Sequence, residues 1–307
     1  MKAMVLAAGL GTRLRPLTDS RPKALVELAG RTLLEITLTR LHTFGITEVI
    51  VNVHHFADMV IDYLKSHNNF GLRIEISRED VLLDTGGGLK KAAWFFLDDS
   101  DRLDEPFLLH NVDVISNVDF ARMLQFHKKH RALATLAVQS RETSRPLLFD
   151  DHLQLCGRRI DNKDILIPIS PNAVISPSPT LSGSGARNPS SSPSPDKPTA
   201  PRPVETTKNC HSERSEESAF SPDLSLVARH PPLPHPLAFS GIHLISPRLL
   251  PMLTEEGVFS IIPSYLRLAA HGEKILAFRA DDYYWRDLGR PSDLTQAAHD
   301  LQQNALL

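Results

Sequence analysis

The sequence has few cysteines and few aromatic residues, and neither sign of charge dominates. Only two of its 307 residues are cysteines, Cys156 and Cys210, which are too few for the disulfide framework of a small secreted domain. Lys+Arg number 34 and Asp+Glu number 36, for a formal net charge of −2. A chain this close to neutral lacks the basic excess of non-specific nucleic-acid binders, so an anionic ligand would need a local site.

Long apolar runs are also missing. None approaches the roughly 18 residues that a membrane-spanning helix requires. The first six residues are typical of an apolar strand that leads into glycines, and they do not match the pattern of a signal peptide. We therefore expect a cytoplasmic protein without a membrane or nucleic-acid partner, either a monomer or a small homo-oligomer.

Proline and serine are concentrated in one part of the chain. Fifteen of the 23 prolines lie between Pro168 and Pro236, together with 14 serines and few large apolar residues. Such a composition buries too little apolar surface to offset chain entropy. It predicts a disordered insertion over residues 166–236, which is either functionless or a proline-rich docking segment for a partner. Its flanks should meet in space, because closing a long loop costs little more than closing a short one.

The remaining residues, 1–165 and 237–307, fit a single α/β domain. Apolar strands alternate with helical patterns, which predicts a mixed, mostly parallel sheet covered by helices on both faces. One helix is predicted over residues 86–97. Asn117 is predicted to cap the next helix, which carries Phe120.

The first candidate for ligand binding is the glycine loop after the first strand. Its sequence runs Leu6-Ala7-Ala8-Gly9-Leu10-Gly11-Thr12-Arg13-Leu14-Arg15-Pro16-Leu17-Thr18. Two glycines let backbone N–H groups approach a polyphosphate, and Arg13 and Arg15 add permanent positive charge. The loop lacks the Gly-Lys-Ser/Thr ending of a Walker loop and the third glycine of a dinucleotide fingerprint. An ordinary strand-to-helix turn with two surface arginines explains this segment equally well.

A lysine and a run of glycines extend the candidate site. Lys23, in Arg21-Pro22-Lys23-Ala24, can act as a point charge on phosphate, although most lysines are simply solvated. The segment Asp84-Thr85-Gly86-Gly87-Gly88 opens a predicted helix, and three glycines weaken a helix without any evident packing benefit. A nucleobase or ribose lying against bare backbone accounts for them, and a loose loop is the alternative.

Two aspartates are the candidate metal ligands. Asp113 follows His110-Asn111-Val112 at the end of a buried strand, where open α/β sheets bind ligands. Asp287 lies in the aromatic segment Trp285-Arg286-Asp287-Leu288-Gly289. The two carboxylates could converge on one Mg²⁺, together with phosphate oxygens and water.

Taken together, these motifs resemble those of the sugar-phosphate nucleotidyltransferase family, over roughly residues 1–165 and 237–300. The family's Leu-Ala-Ala-Gly-x-Gly-x-Arg-x-x-Pro-Leu-Thr loop is met at Leu6–Thr18, and its Pro-Lys-x-Leu motif at Pro22–Leu25. The Thr-Gly-Gly-Gly run, Phe239-Ser240-Gly241 and Trp285–Gly289 look most like the N-acetylmuramate-1-phosphate uridylyltransferase branch. Mannose- and heptose-1-phosphate guanylyltransferases share much of them.

The resemblance implies a Rossmann-like nucleotidyltransferase fold that uses Mg²⁺. Its substrates would be an NTP and a sugar 1-phosphate, and its products an NDP-sugar for cell-wall or polysaccharide synthesis and pyrophosphate. The implied catalytic residues are Arg13, Lys23 and Asp113, and the implied metal ligands are Asp113 and Asp287. The implied substrate-binding residues are Leu6, Ala8, Gly9, Gly11, Thr12, Thr85, Gly86, Gly87, Asn111, Ser240 and Gly241.

The sequence departs from the family pattern at three places. Val112 stands where many relatives have glycine, and Arg290 stands where the uridylyltransferase branch often has threonine. The Glu-Lys-Pro sugar-phosphate motif of larger relatives is absent, and Arg145, or Arg158 with Arg159, could replace that contact. The branch resemblance favours UTP. A GTP-dependent mannose- or heptose-1-phosphate guanylyltransferase and a non-catalytic nucleotide or sugar-phosphate binder are the alternatives.

Overall fold

The computed structural model describes residues 1–98, 103–168 and 234–303. Within these residues it contains strands and helices with the following bounds. The strands are β1 (Lys2–Leu6), β2 (Glu27–Leu28), β3 (Arg31–Thr32), β4 (Glu48–Val53), β5 (Arg73–Arg78), β6 (Phe107–Asn111), β7 (Val114–Ser116), β8 (Ala134–Gln139), β9 (Leu147–Phe149), β10 (Leu155–Ile160), β11 (Lys163–Leu166), β12 (His235–Ile245), β13 (Ile275–Arg279) and β14 (Trp285–Asp287). The helices are α1 (Leu33–Thr43), α2 (Ala57–Ser66), α3 (Asp84–Lys91), α4 (Trp94–Leu97), α5 (Phe120–His130), α6 (Ile261–Ala270) and α7 (Pro291–Gln303).

One large mixed sheet organises the chain. Strands β5, β4, β1 and β6 form its parallel part in that order, and β12 joins β6 in antiparallel fashion. From β12 one branch continues through β8 to β13, and the other through β9 and β10 to β11. The predicted mixed sheet with flanking helices is confirmed. The antiparallel branch β9–β11 was not predicted.

The core lies on both faces of this sheet. Along β1, Ala3 and Val5 face one apolar cluster, while Met4 faces the other. The first cluster includes Leu38 of α1, and the second includes Tyr265 of α6. A strand whose two faces are both buried needs an uninterrupted apolar sequence, which is why residues 3–6 show no alternation with polar residues. No helix of the described residues is long and apolar enough to cross a membrane.

Two local predictions were wrong. The predicted helix over residues 86–97 consists of α3, which begins at Asp84, and the separate short helix α4. The cap of α5 is Asp119, whose carboxylate accepts a hydrogen bond from Arg122 N at 3.0 Å. Asn117 instead accepts a hydrogen bond from Tyr284 N at 2.8 Å and so holds the strand β14 region in place. The Asn117 side chain is therefore bonded to the backbone of a distant residue and does not cap α5.

Most of the predicted insertion, residues 169–233, lies outside the described residues, so its disorder stays a prediction. Both of its ends are strands: Leu166 belongs to β11, and Pro236 belongs to β12. Pro236 is opposite Leu148, Leu148 is opposite Gly157, and Gly157 is opposite Leu166. The two flanks therefore lie in one row of a single sheet, three strand spacings or about 14 Å apart.

Three histidines are buried almost completely: His110, His127 and His243. Burial lowers the pKa of His110 and His127 to about 4 and that of His243 to about 3. Hydrogen bonds to the rings fit the neutral form: His127 contacts Thr135 Oγ1 at 2.9 Å, and His243 contacts the Tyr265 hydroxyl at 2.9 Å. The folded chain thus keeps these rings uncharged at neutral pH.

We expect the chain to lose stability as the pH falls from 7 to 5. The unfolded chain binds protons at histidine below pH 6.5, and the folded chain does not until about pH 4, so acid favours unfolding within this window. Each buried histidine should contribute about 1–2 kcal/mol of this loss. Urea unfolding at several pH values measures it. His127→Gln should flatten the pH dependence, whereas exposed His152→Gln should leave it unchanged. Equal slopes in both variants would contradict the assignment.

Candidate active site

Two cavities open at the carboxyl ends of the parallel strands. The first has a volume of about 420 Å³ and the second about 430 Å³, and both are lined by Asn111 and Asp113. The predicted residues that line the first cavity are Leu6, Ala8, Gly9, Gly11, Thr12, Arg13, Lys23, Thr85, Asn111 and Asp113. The predicted residues that line the second are Asn111, Asp113, Ser240, Gly241 and Asp287. The two shared residues connect the cavities.

The glycine loop needs its second glycine for a steric reason. Gly11 has a φ of +64°, in the left-handed region that side chains rarely adopt. A Cβ there would come within 2.9 Å of the Thr18 methyl group and 3.1 Å of Lys23 Cβ. Thr18 Oγ1 in turn donates a hydrogen bond to Gly11 O at 2.9 Å. The loop therefore folds back on the segment that carries Lys23 and sets both against the first cavity.

Lys23 and Asp113 form an ion pair at the junction of the cavities. The Lys23 side chain is 9% exposed and that of Asp113 is 22% exposed, so the pair is shielded from bulk water. Asp113 also fixes the chain behind it, because its backbone oxygen accepts a hydrogen bond from Leu288 N at 2.8 Å. That bond extends the pairing of β7 with β14, in which Asp287 is opposite Val114.

Asp287 stands beside this pair, and one of its carboxylate oxygens lacks a hydrogen-bond partner among the described residues. Its Oδ1 is buried, and no described residue donates to it. Burial raises the pKa of the Asp287 carboxyl, the charge of Asp113 raises it further, and Lys23 and Arg13 counteract both effects. Two neighbouring carboxylates with an unsatisfied oxygen suit a divalent cation. Among Mg²⁺ sites in proteins, one or two carboxylates beside phosphate and water are the usual ligands.

Arg13 lies on Gly289, the last residue of the aromatic segment. A Cβ at Gly289 would lie 2.8 to 3.1 Å from the guanidinium atoms of Arg13, so a larger residue there would displace the end of that side chain. Both residues line the first cavity. The carboxyl-terminal part of the domain therefore contacts the arginine of the amino-terminal loop.

The three glycines at the start of α3 have packing partners, contrary to the reason given for them from the sequence. A Cβ at Gly86 would meet the Phe259 ring at 2.3 Å, and one at Gly87 would meet Gly257 O at 2.4 Å. The N–H groups of Gly86 and Gly87 also donate to Phe259 O, at 2.9 and 3.1 Å. Neither glycine lines either of the two cavities described above, whereas the adjacent Thr85 lines the first. Their proposed substrate contact stays a prediction.

Two buried polar residues of the first cavity, Asn52 and Glu79, are not among the site residues named from the sequence. Each is 3% exposed, and they are hydrogen-bonded to each other at 2.7 Å. Asn52 lies within β4, and Glu79 directly follows β5. The signal that could have found them is a polar side chain at the carboxyl end of an otherwise apolar strand, next to the strand that carries the glycine loop.

The second cavity is lined by four arginines: Arg141, Arg145, Arg158 and Arg159. Sequence reasoning named the last three for a phosphate contact and missed Arg141. The Arg141 guanidinium lies 3.7 Å from the Trp285 ring centre and donates to Phe239 O at 2.8 Å.

Trp285 Nε1 donates to Ser240 O at 2.7 Å, so this contact ties β14 to β12. Ser240 is fully buried, and its hydroxyl has no partner in the described part of the chain.

The comparisons with known proteins agree with this geometry. Residues 2–147 match the family model described as nucleotidyl transferase. Over 93 residues the chain is 56% identical to the N-acetylmuramate alpha-1-phosphate uridylyltransferase of Caulobacter vibrioides, covering 29% of this chain and 38% of that protein. Over 139 residues it is 37% identical to the mannose-1-phosphate guanyltransferase of Aspergillus fumigatus, covering 45% of this chain and 37% of that protein. The chain thus matches about two fifths of the length of these curated relatives.

Two solved structures share the fold along nearly the whole chain. The protein HddC from Yersinia pseudotuberculosis superimposes with a TM-score of 0.62 at 16% identity, covering 98% of this chain and 99% of that one. A UDP-glucose pyrophosphorylase in complex with UDP-glucose gives a TM-score of 0.62 at 14% identity, with 98% of each chain covered. At these identities the likeness shows the fold alone. Residues 2–147, just under half of the chain, carry the sequence pattern of the nucleotidyl transferase family.

Proposed function

We propose that the protein transfers a nucleoside monophosphate from an NTP to a sugar 1-phosphate, giving an NDP-sugar and pyrophosphate. The observation that supports this most is the junction of two differently built cavities at Asp113. The first cavity carries the glycine loop, Arg13 and Lys23, and suits a nucleoside triphosphate. The second carries Ser240, Gly241 and the arginines, and suits a phosphorylated sugar.

The chemistry requires two polyanions to be brought together. An oxygen of the sugar phosphate attacks the α-phosphorus, and the bond from that phosphorus to the bridging oxygen of the β-phosphate breaks with its electron pair. The attacking oxygen is already anionic near neutral pH, so no general base is needed. Arg13 and Lys23 place positive charge beside the triphosphate and offset the charge of leaving pyrophosphate. Asp113 and Asp287 would hold Mg²⁺, which neutralises phosphate charge when bound.

For the nucleotide, UTP is the favoured substrate. The support is the 56% identity to a uridylyltransferase over 93 residues, against 37% to a guanylyltransferase over 139 residues. GTP is the alternative, and the assay below distinguishes the two.

For the sugar, the arginines favour an acidic one. Arg159 already pairs with Asp164 at 2.5 Å, and Arg141 donates to a backbone oxygen. For Arg145 and Arg158, no carboxylate partner occurs among the described residues, although both line the cavity. Arg158 lies on β10, which is three strands away from β6 in the sheet. A sugar that carries a carboxylate as well as its 1-phosphate, such as N-acetylmuramate 1-phosphate, suits this spread of charge better than mannose 1-phosphate.

We expect pyrophosphate release with Mg²⁺ from one combination of NTP and sugar 1-phosphate. The measurement crosses UTP, GTP, dTTP, CTP and ATP with neutral and acidic sugar 1-phosphates, including those of mannose and N-acetylmuramate. UTP with the acidic sugar should give the fastest release. If a chain with a cooperative unfolding transition releases no pyrophosphate from any pair, a non-catalytic binding protein is the correct assignment.

Asp113→Asn should lower kcat by about 100- to 1,000-fold, because it removes charge at the point where the cavities meet. Asp58→Asn is the matched control, since Asp58 is an exposed aspartate paired with Arg78 and lines neither cavity. Turnover of the Asp113 variant within a few-fold of the parent would refute its role. Circular dichroism of both variants confirms that each is folded.

Arg158→Gln should raise KM for the acidic sugar 1-phosphate about tenfold, in line with the loss of one charge-assisted hydrogen bond. KM for the NTP should not change, because Arg158 does not line the first cavity. Arg73→Gln, at an exposed arginine of β5, controls for the loss of one positive charge. An equal rise of KM for neutral and acidic sugars would argue against a second anionic group on the substrate.

A further inference from the structure

A buried chain of three hydrogen bonds crosses the carboxyl ends of β1, β4 and β5. Ala7 N, directly after β1, donates to Asn52 Oδ1 at 2.7 Å. Asn52 Nδ2 donates to Glu79 Oε1 at 2.7 Å, and Leu83 N donates to Glu79 Oε2 at 2.9 Å. These three hydrogen bonds link the glycine loop to Leu83, the residue that precedes α3.

The direction of these bonds is fixed by the groups at their ends. A backbone N–H can only donate, and a carboxylate can only accept. Asn52 therefore must turn its oxygen to Ala7 and its amide nitrogen to Glu79, and Glu79 must accept at both oxygens. An asparagine at position 52 with a carboxylate at position 79 satisfies all three bonds. An aspartate at position 52 with a glutamine at position 79 does so as well.

Gly88, the third glycine of α3, leaves space for these hydrogen-bonded side chains. A Cβ at Gly88 would lie 2.8 Å from Glu79 Oε1 and 3.0 Å from Asn52 Nδ2. Gly88 is thus the point at which α3 crosses the hydrogen-bonded pair. Asn52 and Glu79 are each 3% exposed, so the loss of a hydrogen-bond partner leaves a poorly solvated polar group and is costly.

We propose that Asn52 and Glu79 are positioning residues that hold the glycine loop and the segment 79–83 in the arrangement that binds the NTP. The expected effect on NTP binding rests on the proposed function. Segment 79–83 supplies Leu82 to the first cavity, and the loop supplies Ala8 and Gly9. Breaking these hydrogen bonds lets the two walls of that cavity move independently, so the nucleotide must order them on binding.

The test exchanges the charges of the pair. In Asn52→Asp, two carboxylates face each other, and in Glu79→Gln one of the three bonds is lost in either amide orientation. In the double variant, the introduced glutamine can donate to the introduced aspartate and accept from Leu83 N, while the aspartate also accepts from Ala7 N. This double variant therefore restores every bond without restoring the original residues.

We expect each single variant to weaken UTP binding about 10- to 100-fold in titration calorimetry with Mg²⁺, as for loss of a buried hydrogen bond. The double variant should bind within about threefold of the parent. KM for the sugar 1-phosphate at saturating NTP should stay within about twofold throughout, because neither residue lines the second cavity. Thr135→Val, which removes the buried hydrogen bond to His127 and lines neither cavity, controls for general destabilisation.

Amide hydrogen exchange gives a second measurement that does not depend on activity. The amides of Ala7 and Leu83 should lose protection in the single variants and regain it in the double variant, while Thr135→Val leaves them protected. If the double variant is no better than the worse single variant in both measurements, the positioning role is wrong. If the parent binds none of the five NTPs, the proposed function fails instead, and the exchange pattern still decides whether the chain of bonds positions the two segments.

Discussion

Two acidic side chains are held side by side where the two cavities meet, and much of the surrounding structure offsets the electrostatic cost of this arrangement. Asp113 is paired with Lys23, and Asp287 keeps a buried oxygen without a donor among the described residues. A carboxylate removed from water is costly unless a cation balances it. Lys23 balances one of the two. The remaining demand for positive charge suits the divalent cation and the phosphates that we propose for the junction.

Three separate parts of the chain build this junction. Asp113 follows β6 of the parallel part, Asp287 comes from the three-residue pairing of β14 with β7, and Lys23 follows the glycine loop. The bond from Leu288 N to Asp113 O continues the β14 pairing into the site. Gly289 comes next and lies against the Arg13 guanidinium. The backbone register of a very short strand pair therefore determines where the Asp287 carboxylate lies.

The sequence predicted the parts of the site that depend on local chemistry. The glycine loop, Lys23 and the two aspartates were named from motifs, and the structure places all of them at one junction, although their roles in catalysis remain proposals. The failures concern contacts between distant segments. Gly86 and Gly87 are glycines because residues 257–259 pack against them, and no property of the glycine run itself reveals that. Asn117 likewise does not cap α5, because its side chain is bonded to Tyr284, 167 residues away.

Arg141 and the hydrogen-bonded pair were not named from the sequence for a related reason, and the distribution of the polar residues around the two cavities suggests how the site is divided. Asn52 and Glu79 lie at the ends of parallel strands, within the residues 2–147 that match the family model. Arg158 and Arg159 lie on β10, outside that match and in the antiparallel branch.

A sequence pattern shows that these residues are charged, but the side of the sheet that they reach depends on how β9 and β10 pair. The first cavity, which we propose for the NTP, is lined mostly by residues within 2–147. The second cavity, which we propose for the sugar 1-phosphate, takes Arg158 and Arg159 from a branch that can change without disturbing the parallel strands, so we expect differences in sugar preference to arise on that branch.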